Sequence, residues 1–196
     1  MKLQDRLPEH VTVHGHRYKL DLDYRNVLQL IDTLARDDLT PEAREWLALK
    51  CVMKRPRHVQ ETMTAVRALL FPDAQKSADK QKITDFTQDA NLIRAAFMQT
   101  YRINLYRDRL HWYEFQALLA GLPEGSRYTD VLGIRMRPMP KPTKYNSEER
   151  AWLAKAKAEL AVHMTEEERE RSLNNSLRGV AESLLALAGK GGETHG

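Results

Sequence analysis

Few residues in this 196-residue chain combine the type and spacing that chemistry demands. His14 and His16 stand two apart, which would put two imidazoles on one face of a strand. His14-Gly15 also reads as a turn, because glycine reaches positive φ cheaply and histidine tolerates it, and the pair then flanks the turn. Zinc needs three or four ligands, and no cysteine or carboxylate cluster completes a set here. Both histidines therefore read as solvated turn residues. Cys51, the one cysteine, lies beside the apolar run of a helix and reads as a small buried hydrophobe. The chain contains no HExxH, no GxSxG, no phosphate loop and no dinucleotide glycine fingerprint. It is expected not to be an enzyme and to use no cofactor and no metal.

Two basic clusters could meet phosphates: Lys50, Lys54, Arg55 and Arg57 at a helix end, and Arg135, Arg137, Lys141 and Lys144 in a proline-rich stretch. Neither interleaves aromatics as a base-stacking platform does. The pI of about 9.2 rests on 31 Lys and Arg against 27 Asp and Glu, a surplus of only four that is scattered along the chain. Solvated surface is the better reading, and nucleic acid is not an expected partner.

The elements that must position these residues are mostly helices. Val11 and Val13 alternate with polar residues, as Tyr18 and Leu20 do after the turn, and predict a small β-hairpin. Asp23 caps a helix whose face is Tyr24, Val27, Leu28, Ile31 and Leu34. Thr40-Pro41 opens a second, carrying Trp46, Leu47, Leu49 and Val52. A third carries Val59, Met63, Val66, Leu69 and Leu70 and ends before Phe71-Pro72. After the polar stretch 73–83, Asp85 with Gln88 forms a capping-box-like pair for a helix with Phe86, Ala90, Ile93, Phe97 and Tyr101. Further helices carry Trp112, Phe115, Leu119 and Leu122, then Tyr128, Val131, Leu132 and Ile134 behind Ser126. The seven methionines are dispersed along the chain and read mostly as core filler.

Three prolines within Arg137 to Asn146 forbid a helix there. Ser147 caps a helix with Trp152, Leu153, Ala156 and Leu160, and Thr165 with Glu168 forms a second capping box. Leu173, Leu177, Val180, Leu184 and Leu187 then recur at spacings of four, three, four and three, a narrow seam of the kind that meets another helix. A terminal helix docked on its own domain fits that seam equally well.

The fold class is therefore mainly α: a multi-helix globular body with a small N-terminal β-hairpin and a C-terminal helical extension. The expected organisation is a body over 1–136 with a polar loop at 73–83, a proline-rich linker at 137–146, a helical extension at 147–188 and a disordered tail at 189–196. Hydrophobic residues make up 42% and charged residues 30%, with a mean hydropathy of −0.60. That balance excludes collagen-like and wholly disordered chains. No apolar run approaches the eighteen residues of a membrane span. The opening MKLQDRLPEH lacks the apolar core of a secretory leader, and the one cysteine, Cys51, can make no internal disulfide, so the expected location is a reducing, cytoplasmic compartment.

Two strings carry a resemblance. LPEHVTVHGHRYKLDLDYRNVLQL is similar to the opening of the bacteriophage gene-product-fifteen family, with Val11, Val13 and Gly15 in a Val-x-Val-x-Gly hairpin. Asp21 and Tyr24-Arg25 follow at the helix start, the latter pair where the family has Phe-Arg. The second string matches as Asp85-Phe86, Gln88-Asp89, Ala95-Ala96-Phe97, Leu110-His111-Trp112, Phe115, Leu118-Leu119, Gly121-Leu122-Pro123 and Gly133-Ile134-Arg135. Where the family places glycine after the tyrosine, this chain has Arg102. The resemblance covers roughly residues 7 to 150.

It implies a tail assembly chaperone of long-tailed phages, working in the host cytoplasm. The implied partner is the tape measure protein, with the major tail protein and a second copy of this chain as further candidates. A helical holdase without ATP would cover the apolar seams of the tape measure until the tail tube grows around it. A structural tail or connector component of the virion is the alternative, and a nucleic-acid-binding regulator is the weakest reading. Candidate partner-binding residues are Trp112 and Phe115, for which burial in the core competes, and the seam Leu173, Leu177, Val180, Leu184 and Leu187.

Overall fold

The computed structural model describes residues 4–72 and 83–163. Among these, the order is β1 (His10–Val13), β2 (His16–Lys19), α1 (Tyr24–Leu34), α2 (Pro41–Val52), α3 (Val59–Leu70), α4 (Ala90–Tyr101), α5 (Trp112–Ala120), α6 (Arg127–Met136) and α7 (Ser147–Glu159). The protein is mainly α with a two-stranded antiparallel hairpin. No described helix is long and apolar enough to cross a membrane. The leucine seam from Leu173 to Leu187 and the Thr165–Glu168 capping box lie outside the described residues, as does nearly all of the polar stretch 73–83.

The chain forms two compact units. The first comprises Met1–Gln75 and Asp89–Val131. Its hairpin pairs Val11 with Tyr18 and Val13 with His16 across a two-residue turn, where His14 and Gly15 both take positive φ, 48° and 77°. A turn of that hand follows the twist of the strands, and Gly15 adopts it without strain. Val11 and Val13 are buried and β1 packs on α3, which supplies the support that an isolated hairpin lacks. α1 packs on α2, α2 on α3, and α5 on both α1 and α4. The core of this unit contains Val27, Leu30, Leu49, Val52, Met63, Val66, Phe97, Trp112 and Phe115.

Local chemistry explains most helix ends. Thr40 Oγ1 accepts the Ala43 N–H at 3.4 Å, ahead of Pro41 at the first helical position of α2. α4 begins five residues after Asp85, the residue expected to cap it. The Asp85 carboxylate instead accepts the N–H groups of Thr87 and Gln88, both at 2.9 Å, and closes a turn that precedes the helix. The far end of α4 is a left-handed residue, Arg102, with φ 60° and ψ 20°, whose N–H bonds back to Met98 O. A helix end of this geometry favours glycine, and here an arginine carries it.

The second unit comprises Lys76–Gln88 and Leu132–Gly196. Arg135, 8% exposed, is its polar centre: Nε donates to Leu160 O at 2.6 Å and Nη1 to Ile83 O at 2.9 Å. Lys157 Nζ donates to Arg135 O at 2.8 Å, and the Gln88 side chain bridges Ala161 O and the His163 N–H. α7 starts at Ser147, so the cap position falls on Asn146, whose side chain instead ties Thr143 to Lys141. Leu153 faces inward while its neighbour Trp152 is 53% exposed, contrary to the shared inward face that the spacing predicts.

Substitutions at two positions test these arrangements. R102G should raise unfolding free energy by about 1 kcal/mol in urea titration, by relieving the left-handed strain, while R102A should give no gain. R135M should cost about 3 kcal/mol, because two carbonyls lose charge-assisted donors. R135K should fall between, since a single ammonium cannot reproduce the guanidinium fork.

Candidate functional site

The two strings that carry the family resemblance meet in space inside the first unit. The extended segment before α1 lies against the segment before α5: Tyr24 N–H donates to Leu110 O at 2.9 Å and Trp112 N–H to Leu22 O at 2.8 Å, with Asp23 and His111 as the bridged pair. Each of these two residues also caps a helix. Asp23 Oδ1 accepts the Arg25 N–H at 3.1 Å. His111 Nδ1 accepts the Tyr113 N–H, and the Glu114 carboxylate returns to the His111 N–H at 2.9 Å, completing a capping box. His111 Nε2 lies 3.0 Å from Pro8 O and donates to it, which defines the neutral tautomer with its proton on Nε2.

Charge reinforces the junction. The Asp23 side chain, 6% exposed, accepts Arg25 Nε at 3.1 Å on one oxygen and Arg109 Nε at 3.0 Å on the other. Arg109 Nη2 continues to Asp21 at 2.8 Å, and Arg25 Nη2 donates to Asp108 O at 2.7 Å. The Asp23 hydrogen bond, with Asp21 beside it, makes the Arg109 guanidinium still harder to deprotonate than usual. Below the junction, Phe115 is the hub of an aromatic stack, with ring centroids 4.7 Å from Tyr24, 5.4 Å from Phe97 and 5.9 Å from Trp112. Burial raises the pKa of Tyr24, whose hydroxyl donates to Leu105 O. Tyr113, also raised by burial, donates to Leu69 O.

This arrangement corrects the expectation for Trp112 and Phe115. At 2% and 1% exposed they are core side chains and present no surface to a partner. Leu173, Leu177, Val180, Leu184 and Leu187 lie outside the described residues. His14 sits in the hairpin turn, its ring 4.9 Å from His58 and its Nε2 3.7 Å from a Glu61 carboxylate oxygen. His16 is exposed on β2. Among the described residues no three His, Cys, Asp or Glu side chains are grouped to hold a metal ion. Cys51 is half-buried, with Sγ 3.5 Å from Leu47 O.

The large apolar side chains that do face solvent are others, Trp46, Met98 and Tyr106 in the first unit and four in the second. Met136, Met139, Tyr145 and Trp152, all in the second unit, are 62%, 41%, 91% and 53% exposed. Of the methionines read as core filler, Met53 and Met63 are buried, whereas Met98, Met136 and Met139 are not. Methionine and aromatic side chains exposed within so short a stretch suit contact with irregular apolar partners. The basic clusters also separate. Arg135 is an internal tether and Arg137 pairs with Glu149 at 2.6 Å. Lys50, Lys54 and Arg55 instead line an open cleft of about 1200 Å³ in the first unit, bounded by β2, the end of α2 and the Asp21–Arg109 pair.

The family model described as Bacteriophage Gp15 protein matches residues 3–162, more than half of the chain. No curated relative and no solved structure matches it.

Asp23 and Arg109 are separable by mutation. D23A should cost about 2 kcal/mol in urea titration, since it removes a helix cap and an acceptor shared by two guanidinium groups. R109A should cost less, because Asp23 Oδ1 keeps both Arg25 contacts and only Oδ2 loses its donor. Equal losses would overturn the central role assigned to Asp23.

Proposed function

The chain belongs to the Bacteriophage Gp15 protein family, and from that premise we propose that it is a tail assembly chaperone, a stoichiometric holdase for the tape measure protein. The observation that carries this reading is the family membership joined to the exposed Met136, Met139, Tyr145 and Trp152. A tape measure is a long helical chain with apolar seams that would associate wrongly before the tail tube surrounds it. Exposed thioether and aromatic groups can cover such seams and repack as the sequence beneath them changes. The sequence contains no phosphate loop, so release relies on mass action as tube subunits add. The protein carries out no chemistry in this role and acts in the host cytoplasm.

Co-expression with the tape measure protein of the same phage tests the reading. The wild-type chain should raise the soluble tape measure fraction several-fold. A variant carrying M136S, M139S, Y145S and W152S should lose that effect while keeping its helical circular dichroism, since exposed substitutions cost little stability. Purified virions should lack the protein. Unchanged tape measure solubility, or stoichiometric copies in virions as the structural-component alternative requires, would overturn it.

A further inference from the structure

Over residues 17–19 the outer edge of β2 has no backbone partner among the described residues. Leu20 N–H donates to Glu9 O at 2.7 Å, which fixes the alternation of hydrogen-bonded pairs along the ladder. The pairs Val11–Tyr18 and Val13–His16 exchange hydrogen bonds, whereas Arg17 and Lys19, opposite Thr12 and His10, turn their N–H and C=O groups away from β1. Two residues further on, the outward Asp21 N–H is taken by Val52 O at 2.8 Å. Among the described residues, no backbone group meets Arg17 or Lys19 on that side. The chain at Val52 thus closes one end of an edge that stays open for the residues before it.

That open edge forms one wall of the cleft of about 1200 Å³. Lys50, Lys54 and Arg55 line the same cleft, and no described carboxylate forms an ion pair with them or with Arg17 and Lys19. The nearby Asp21 and Asp23 are already engaged by Arg25 and Arg109. Five cations, against the one further lining carboxylate of Glu9, therefore surround a short row of outward backbone donors and acceptors. Of the five, Arg17 Nη2 lies 3.2 Å from His10 Nδ1 and Lys50 Nζ donates to Lys54 O at 3.1 Å. Lysine and arginine on an edge discourage pairing between two copies of the same edge, because each would face its own charge. The same charges attract a strand of opposite sign. Phosphate backbones suit the site less well, since the outward carbonyls of Arg17 and Lys19 are acceptors that repel phosphate oxygens.

We propose that the outer edge of β2 is a docking site for an extended acidic segment of a partner protein, added as a third strand beside residues 17–19. Backbone hydrogen bonds to Arg17 and Lys19 set its register, and carboxylates meeting Arg17, Lys19, Lys50, Lys54 and Arg55 select its charge. The inference is independent of the exposed apolar stretch and of the chaperone reading.

The test uses the full chain and a labelled peptide of about nine residues that alternates glutamate with valine and threonine, followed by fluorescence anisotropy. Binding in the roughly micromolar range is expected, weakening as salt rises from about 50 to about 300 mM. Methylating the alternate peptide amides that face β2 should weaken it at least about ten-fold, the equivalent of one or two lost backbone hydrogen bonds, whereas methylating the other set should not. The variant K54E/R55E, on exposed side chains, should weaken it by a similar factor. K19P, which removes an outward donor without touching the β1 ladder, should do so as well. If K19P fails to fold, the methylated peptides read the complementary hydrogen bonds of the same ladder, from peptide N–H groups to the Arg17 and Lys19 carbonyls. No binding, equal binding of both methylated peptides, equal binding of a lysine-for-glutamate peptide, or displacement by single-stranded DNA at lower concentration than by unlabelled peptide would each overturn the proposal.

Discussion

The carboxylate of Asp23 has three roles at once. It caps α1, it accepts Arg25 from its own helix, and it accepts Arg109 from a segment more than eighty residues away. A carboxylate this buried must be satisfied on both oxygens, and only a donor brought from the approach to α5 completes the set. Satisfying it sets the register of two extended segments, because Tyr24 and Trp112 donate to Leu110 and Leu22 on either side of it. Once those segments are aligned, α1 and α5 start within a few ångströms of each other. Their first residues, Tyr24 and Trp112, then reach Phe115 from two directions. The aromatic core thus depends on a polar contact at its margin.

Helices were legible in the sequence because their determinants are local. Thr40-Pro41 states the start of α2 and Phe71-Pro72 the end of α3, and no distant residue alters either. The start of α4 was misplaced because Asp85 has the chemistry of a cap but spends it on a turn, a choice between two local solutions. Gln88, expected to complete a capping box, reaches Ala161 and His163 instead, and such non-local partners leave no trace in spacing. Arg109 shows the same blindness in stronger form: nothing around it distinguishes it from any surface arginine. Period also identifies which residues share a helix face without saying which way the face turns. Trp46 and Trp152 were grouped with inward residues on that basis, and both are exposed.

Arginine divides into two kinds in this protein, and composition cannot tell them apart. Arg109 and Arg25 neutralise a buried carboxylate, while Arg135 holds backbone carbonyls of the second unit through its forked guanidinium. These cations are structural, and they account for part of a basic balance that first looks like an affinity for polyanions. The described cations without an ion-pair partner are spread along the chain, Arg57, Arg102, Arg127, Lys141 and Lys144 among them. Lys19, Lys54 and Arg55 lie around one cleft, and none has a described ion-pair partner.

Ten of the residues that carried the family resemblance belong to the interior. Val11, Val13, Tyr24, Asp89, Ala96, Phe97, Trp112, Phe115, Leu122 and Arg135 are all buried. Such positions specify a frame, since each is constrained by packing or by a hydrogen bond to a named neighbour. They do not specify a partner, because a partner cannot touch them. Others that carried the resemblance, among them Gly15, Asp21, Arg25, Gln88 and Pro123, are exposed, as are the methionines and aromatics between Met136 and Trp152 and the cations along the edge of β2. The resemblance thus samples both the frame of the fold and the surface that stays open to a partner.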